Sequence, residues 1–152
     1  MANDIPIPDA SPAAVQLFAC MARFEFALKE CGFVAGEEGK RVSPGWGDFE
    51  AAAMRTPVLD RLATSGEARE LLERPPRRQL RRGDGFVWGD PVPLHDARTL
   101  CGAVRQVRNN LFHGGKAGAD PRDDALCDAA VAALRFLLEV DPSVRNAFLG
   151  LY

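Results

Sequence analysis

The chain has 152 residues, of which 47% are hydrophobic, and a formal net charge of −2. This length is typical of one domain, so we expect residues 1–152 to form a single domain with a core that needs no disulfide or metal. The charge balance excludes a protein that holds nucleic acid by bulk positive charge. Any contact with RNA would have to come from a local basic patch.

The cysteines and histidines predict neither a metal site nor a cofactor. The chain has only two histidines and no pair of cysteines two residues apart, so we expect free, buried thiols in a reducing compartment. The first ten residues lack the pattern of a secretory signal, and no apolar run approaches the about 20 residues of a membrane span. We therefore expect a soluble cytoplasmic protein without a membrane partner. The four cysteines are Cys20, Cys31, Cys101 and Cys127.

The first predicted helix begins after Ser11, a suitable N-cap, with Pro12 at the first helical position, and Gly32 is a natural stop. It carries two apolar stripes at helical spacing. We therefore expect burial over much of its circumference, as in a bundle interior. One stripe comprises Val15, Phe18, Ala19, Ala22 and Phe26, and the other comprises Leu17, Met21, Phe24, Leu28 and Cys31.

The next part of the chain predicts a loop followed by shorter helices. Residues 34–44 are rich in glycine and charge and are predicted to form the loop. Residues 46–54 are predicted to form a short helix capped by Asp48 or a neighbour. Residues 58–72 predict further helical turns, interrupted near Ser65 and Gly66.

Residues 74–96 predict a long connection inside the domain, because proline and glycine recur there and forbid a long regular element. The connection carries the one strong basic cluster of the sequence, with Phe86 and Trp88 just after it. It could track an RNA backbone and offer stacking rings, or it could be a solvated loop with Trp88 in the core. The cluster consists of Arg74, Arg77, Arg78, Arg81 and Arg82.

The last third of the chain contains three helix starts. One helix is predicted from Asp96 to Gly114-Gly115, a second after Asp120-Pro121 and a short third after Asp141-Pro142. We find no internal repeat and no alternating strand pattern. The predicted fold class is all-α, a small up-and-down bundle of four to five main helices with a long Arg/Pro/Gly-rich internal loop.

The end of the helix predicted from Asp96 to Gly114-Gly115 carries candidate catalytic residues. On an ideal helix Arg108 lies about 40° from Val104, inside the apolar stripe, where a guanidinium needs a carboxylate or a phosphate. His113 lies about 140° from Arg108, so the two converge only if the helix loosens or if the site lies between two chains. Taken alone, an Arg-x4-His pattern is more often an interhelical salt bridge and a residue at a helix end.

The stretch Arg108-Asn109-Asn110-Leu111-Phe112-His113-Gly114-Gly115-Lys116 resembles the motif of the HEPN superfamily. That motif is an Arg, usually a polar residue, and a His four to six residues after the Arg, at the end of a late helix. Residues 23–29, followed by Gly32-Phe33, are similar to the opening helix of some prokaryotic HEPN proteins. The resemblance leaves residues 34–95 unmatched.

The resemblance implies a metal-independent endoribonuclease, toxin-like or defence-associated, that leaves 2′,3′-cyclic phosphate and 5′-OH ends. His113 would act as general acid or base on the ribose 2′-OH or the leaving 5′-oxygen. Arg108 would hold the scissile phosphate, and Asn109 would orient His113 or a phosphate oxygen. Glu25 could pair with Arg108 or, alternatively, with Lys29 on its own helix. Lys116 is a possible phosphate contact or a solvated lysine.

The resemblance also implies partners. HEPN active sites are composite across a two-fold axis, so we expect a homodimer acting on RNA, with an antitoxin as a possible regulator. HEPN toxins silenced by a nucleotidyltransferase carry a Tyr at the position of Gly115, so that mode of control is not expected. The competing hypotheses are a non-catalytic HEPN-like module that dimerises or binds RNA or nucleotides, and a purely structural helical adaptor.

Overall fold

The computed structural model describes residues 10–112 and 120–151, which are mostly helical. No helix in these two ranges combines the length and apolar character needed to cross a membrane. The described helices are α1 (Pro12–Glu30), α2 (Trp46–Ala53), α3 (Val58–Ser65), α4 (Arg69–Glu73), α5 (Ala97–Phe112), α6 (Pro121–Leu137) and α7 (Pro142–Leu149), with a 3₁₀ turn at Leu138–Val140. The strands form two antiparallel pairs, β1 (Val34–Ala35) with β2 (Ser43–Pro44) and β3 (Gln79–Arg82) with β4 (Gly85–Trp88).

The predicted starts of α1, α6 and α7 are confirmed, because each is determined by contacts within a few residues. Ser11 caps α1 by accepting a hydrogen bond from the backbone N–H of Ala14 at 3.1 Å. Asp120 and Asp141 cap α6 and α7 in the same way, each followed by proline at the first helical position. The break predicted near Gly66 is also present, where glycine takes the left-handed conformation that ends α3.

Helix α6 lies at the centre of the fold and packs against α1, α3, α4 and α5. Helix α1 also packs against α5 and α7, so the long helices enclose one apolar core. The largest fully buried side chains are Phe24, Phe49, Leu17, Met21, Leu28, Leu62, Leu71, Leu100, Leu134, Leu137, Val104 and Val144.

The expectation that α1 is buried over much of its circumference is wrong. Its stripe through Leu17, Met21 and Phe24 is buried, whereas Val15 is 54% exposed and Ala22 is also exposed. The buried residues of α1 lie on one side of the helix only. Of the stripe through Val15, the described residues leave Val15, Ala19 and Ala22 exposed, whereas Phe18 and Phe26 are half-buried.

The region predicted as a loop at residues 34–44 contains the short β1–β2 pair, and this pair positions α2. Gly45 donates a backbone hydrogen bond to the carbonyl of Phe33 at 2.7 Å. A Cβ on Gly45 would lie 2.6–2.7 Å from backbone atoms of Phe33 and Val34, so only glycine permits this approach. Gly45, rather than Asp48, is the N-cap of α2.

The approach at Gly45 assembles an aromatic cluster between α1 and α2. The ring of Trp46 stacks on that of Phe24 with centroids 5.3 Å apart, and Phe49 meets Phe24 edge to face at 5.4 Å. Both contacts are made by Phe24, the residue that directly precedes Glu25. The indole of Trp46 is therefore held beside the polar face of α1.

The prediction that residues 74–96 contain no strand is wrong. Strands β3 and β4 form a hairpin joined by the two residues Gly83 and Asp84. Gly83 has a φ of +59°, a conformation that glycine adopts at little cost and that the first position of a type II′ turn requires. The sequence signal was a Gly-Asp pair between Gln-Leu-Arg-Arg and Gly-Phe-Val-Trp, which the surrounding prolines obscured.

All four cysteines are free, as predicted. Cys101 and Cys127 are buried, and burial raises the pKa of each thiol to about 12. Cys20 and Cys31 are only half-buried, and burial raises the pKa of these thiols too. None of the four is poised as a thiolate nucleophile.

The N-cap of α5 gives a pH-dependent prediction. The backbone N–H of Thr99 donates to Asp96 Oδ1 at 2.7 Å, and this bond lowers the pKa of Asp96 below its ordinary value of 3.8. The cap is therefore fully effective above about pH 4 and is lost as the pH falls through the lowered pKa. Asp96→Ala should lower the free energy of unfolding by about 1 kcal/mol at pH 7.

Urea unfolding followed by circular dichroism at pH 7 and pH 2.5 measures this effect. The difference between Asp96→Ala and the wild type should shrink at the lower pH. Asp90→Ala, which changes an exposed aspartate of the preceding loop, is the control and should match the wild type at both values. A deficit of equal size at both pH values would contradict the assignment.

Candidate functional site

A polar pocket of about 510 Å³ lies where α1, the end of β2, the start of α2 and the middle of α5 meet. Two of the residues predicted for the site from sequence, Arg108 and Asn109, line it from α5, and a third, Glu25, lines it from α1. The full lining is Glu25, Ser43, Pro44, Trp46, Gly102, Arg105, Gln106, Arg108 and Asn109.

Arg108 contacts Glu25 across the interface between α5 and α1. Its Nη1 lies 3.3 Å from Oε1 and 3.4 Å from Oε2 of Glu25. The two side chains are 27% and 20% exposed, so the carboxylate offsets the cost of removing the guanidinium from water. Of the two partners that the sequence allowed for Glu25, the structure selects Arg108 rather than Lys29.

Trp46 fixes the other side of this carboxylate. Its indole N–H donates to Glu25 Oε1 at 3.0 Å. Glu25 therefore has one oxygen shared between the indole and the guanidinium, which defines its orientation. Sequence reasoning missed Trp46 as a member of the site, because the contact depends on the turn at Gly45.

Arg105 is a second cation on the pocket wall and was also missed. Its Nη2 donates to Oε1 of buried Glu50 at 2.8 Å, and its guanidinium lies 5.2 Å from the ring centre of Trp46. Glu50 also lies 3.8 Å from Arg98 Nε. A signal was present in the sequence, because Arg105 precedes Arg108 by three residues and so shares its side of α5.

Asn109 is placed to orient Arg108, whereas the sequence suggested that it orients His113 or a phosphate. Its Oδ1 accepts a hydrogen bond from Arg108 Nε at 3.1 Å. Together with Glu25, it holds two of the donor atoms of the guanidinium and fixes the plane of the group. His113 and Lys116 lie outside the described residues.

Of the five predicted RNA-binding arginines, four lie in or just before the β3–β4 hairpin, and Arg74 lies at the end of α4. Arg74 pairs with Glu70 at 2.7 Å beside α4, and Arg81 donates to the carbonyl of Gly83 at 3.0 Å within the hairpin. All five are exposed, and so is Trp88, at 38%. The alternative in which Trp88 is part of the core is therefore excluded.

Within residues 10–112 and 120–151, no group of three or more His, Cys, Asp or Glu side chains could hold a metal ion. The charged side chains that line the pocket are Glu25, Arg105 and Arg108, and Glu50 pairs with Arg105 from outside the lining. What this arrangement can do chemically is hold an anion against guanidinium donors whose positions are already set.

No protein-family model, curated protein or solved structure matches this chain. The resemblance to HEPN proteins therefore rests on the motif residues and stays a prediction.

The Glu50–Arg105 contact gives a test of how the pocket wall is held. Glu50→Ala would leave the guanidinium of Arg105 half-buried, at 34% exposure, without its closest carboxylate. We expect the free energy of unfolding to fall by about 2 kcal/mol, as measured by urea denaturation.

The matched control is Glu73→Ala, which breaks a pair with Arg69 whose side chains are 60% and 78% exposed. Solvent screens that pair, so its loss should change the free energy of unfolding far less than the loss of Glu50 does. Equal losses in the two variants would show that Glu50 is not a structural anchor of the pocket.

Proposed function

We propose that this chain is a metal-independent endoribonuclease of the HEPN type, with a small helical-bundle fold, and that it acts as a cytoplasmic homodimer. The observation that carries the proposal is the pocket in which Arg108 is held by Glu25 and Asn109 beside a second cation, Arg105. His113 follows Arg108 by five residues in the sequence, within the motif that suggested the function.

In the proposed reaction, the ribose 2′-oxygen attacks the adjacent phosphorus while the bond to the 5′-oxygen breaks. His113 removes the proton of the 2′-OH or protonates the leaving 5′-oxygen, and the guanidinium of Arg108 stabilises the charge that develops on the phosphate. The products are a 2′,3′-cyclic phosphate and a 5′-OH. DNA is not cut, because it lacks the 2′-OH.

The contact between Arg108 and Glu25 sets a requirement on substrate binding. A scissile phosphate must either use a donor of Arg108 that Glu25 does not engage or displace the carboxylate. The contact is 3.3–3.4 Å long, whereas a strong charge-assisted hydrogen bond measures 2.7–2.9 Å. It is therefore weak enough for a phosphate to displace the carboxylate. Arg105 remains on the pocket wall in either case.

A homodimer is part of the proposal. The reaction needs one proton removed and another supplied, and the motif of one chain holds a single histidine, His113. A two-fold axis beside the pocket would supply a second His113 for the other proton transfer, together with a second pair of arginines. The exposed apolar face of α1, the helix that carries Glu25, supports an interface on this side.

The central test is cleavage of RNA in excess EDTA. We expect the wild type to cut total RNA and to leave 5′-OH ends, which are labelled by polynucleotide kinase without prior phosphatase treatment. Arg108→Lys and His113→Ala should each reduce the cleavage rate at least about 100-fold, because a point-charge lysine cannot keep both oriented contacts and general acid–base catalysis is lost.

Arg145→Lys is the matched control, since Arg145 is an exposed arginine of α7 paired with Glu139. It should cut RNA at the wild-type rate. Cleavage that survives His113→Ala unchanged would exclude the proposed chemistry and point to a contaminating nuclease.

The dimer is tested by sedimentation equilibrium. The mass should be twice the 16.5 kDa of the chain at concentrations where cleavage is measured. Val15→Glu, which puts a charge on the exposed face of α1, should shift the protein toward the monomer and lower its activity. An active wild-type monomer would contradict the composite site.

The runner-up is a non-catalytic HEPN-like module that binds RNA or nucleotides. The pocket favours it specifically, because an aromatic ring and two guanidinium groups surround a volume large enough for a nucleotide. It would replace the leading proposal if the wild type bound RNA, lost that binding in Arg108→Lys, and cut nothing. In either case an antitoxin or other regulatory protein remains a proposed partner.

A further inference from the structure

The β3–β4 hairpin has two chemically different faces. In an antiparallel pair, residues opposite each other lie on the same face, and the register pairs Gln79 with Trp88 and Arg81 with Phe86. Arg81, Phe86 and Trp88 therefore share one side, which we name the ring face. The two rings lie 5.8 Å apart, at right angles to each other.

The ring face is open to solvent. Every residue from Leu80 to Trp88 is exposed, and Phe86 and Trp88 are 50% and 38% exposed. A two-stranded hairpin is only marginally stable by itself, and large exposed apolar side chains in a soluble domain usually mark an interaction surface. The rings are therefore positioned to contact a ligand.

The charge of the hairpin indicates which kind of ligand. Residues 77–89 hold four arginines and one acid, Asp84, in a chain whose net charge is −2. A local basic surface with two open aromatic rings fits a polyanion with exposed base faces, because bases stack on aromatic rings while guanidinium groups contact phosphates. An acidic peptide would use the charge but not the two rings.

The base of the hairpin is connected to the pocket. Asn110 Nδ2 donates to the carbonyl of Arg77 at 2.8 Å, and Gln106 Nε2 donates to Asn110 Oδ1 at 2.7 Å. Gln106 lines the pocket. Two consecutive hydrogen bonds thus join the start of the hairpin to the wall that holds Arg108.

We propose that the ring face binds an unpaired segment of RNA, with bases stacked on Phe86 and Trp88 and a backbone phosphate at Arg81. The adjoining phosphodiester is then presented to the pocket. This inference rests on the proposed function and narrows its substrate to single-stranded RNA. A duplex is excluded because its base faces are already stacked.

Binding is measured by the fluorescence anisotropy of a labelled 12-nucleotide 2′-O-methyl RNA, which cannot be cleaved because its 2′-oxygen is blocked. Phe86→Ala and Trp88→Ala should each weaken binding at least about fivefold, since each variant removes a ring on which a base stacks. Arg81→Gln should weaken it and reduce its salt dependence. The same sequence as a duplex should bind at least about tenfold more weakly than the single strand.

The controls change the opposite face and a remote arginine. Val87→Ala changes a residue on the other side of the hairpin, and Arg61→Gln removes an exposed arginine of α3. Both should bind within twofold of the wild type. Thermal unfolding of every variant should match the wild type, because the hairpin lies outside the core.

The failures of the two proposals are distinguishable. If the wild type binds the single strand through the ring face but cuts no RNA, the nuclease proposal is wrong and the ring-face inference stands. If cleavage and binding are unchanged in Phe86→Ala and Trp88→Ala, the ring-face inference is wrong and the nuclease proposal stands. If these variants instead change only the mass of the assembly, the ring face is a protein interface and the inference is wrong.

Discussion

The contact between Glu25 of α1 and Arg108 of α5 is the interaction on which the site depends. A guanidinium that is 27% exposed at the edge of an apolar core is costly unless a carboxylate faces it. Glu25 meets that need and is itself oriented by the indole of Trp46. Three helices are thereby held around one pocket. The same contact makes Arg108 both a structural residue and the best candidate for holding a phosphate.

The pocket combines fixed cations with nearby carboxylates. Arg105 is held by Glu50 and Arg108 by Glu25, so each cation is already oriented while the resting charge stays balanced. Preorganised donors cost little reorganisation when an anion binds, which is what phosphate chemistry requires. A chain with a net charge of −2 can therefore still present fixed guanidinium donors to an anion, because the groups that matter are local.

The motif, the expected acidic partner and the basic cluster were all found in the sequence, but their arrangement was not. Arg105 shares a side of α5 with Arg108, and this could have been predicted from helical spacing. Trp46 could not, because its place beside Glu25 follows from the close backbone approach at Gly45. In the hairpin, composition revealed arginines and rings, whereas strand register decided that Arg81 belongs with the rings.

The sequence by itself determined the caps at which α1, α6 and α7 begin and the backbone conformation open to Gly83. The Ser11 side chain caps α1 by bonding to a residue only three positions away. Gly83 adopts its positive φ because it has no side chain, and it needs no distant partner to do so. Only the tertiary structure decided which stripe of α1 is buried and which carboxylate meets Arg108, a partner 83 residues away in the chain. The reason is physical: local hydrogen bonds need only neighbouring residues, whereas burial and ion pairing depend on which distant surfaces pack together.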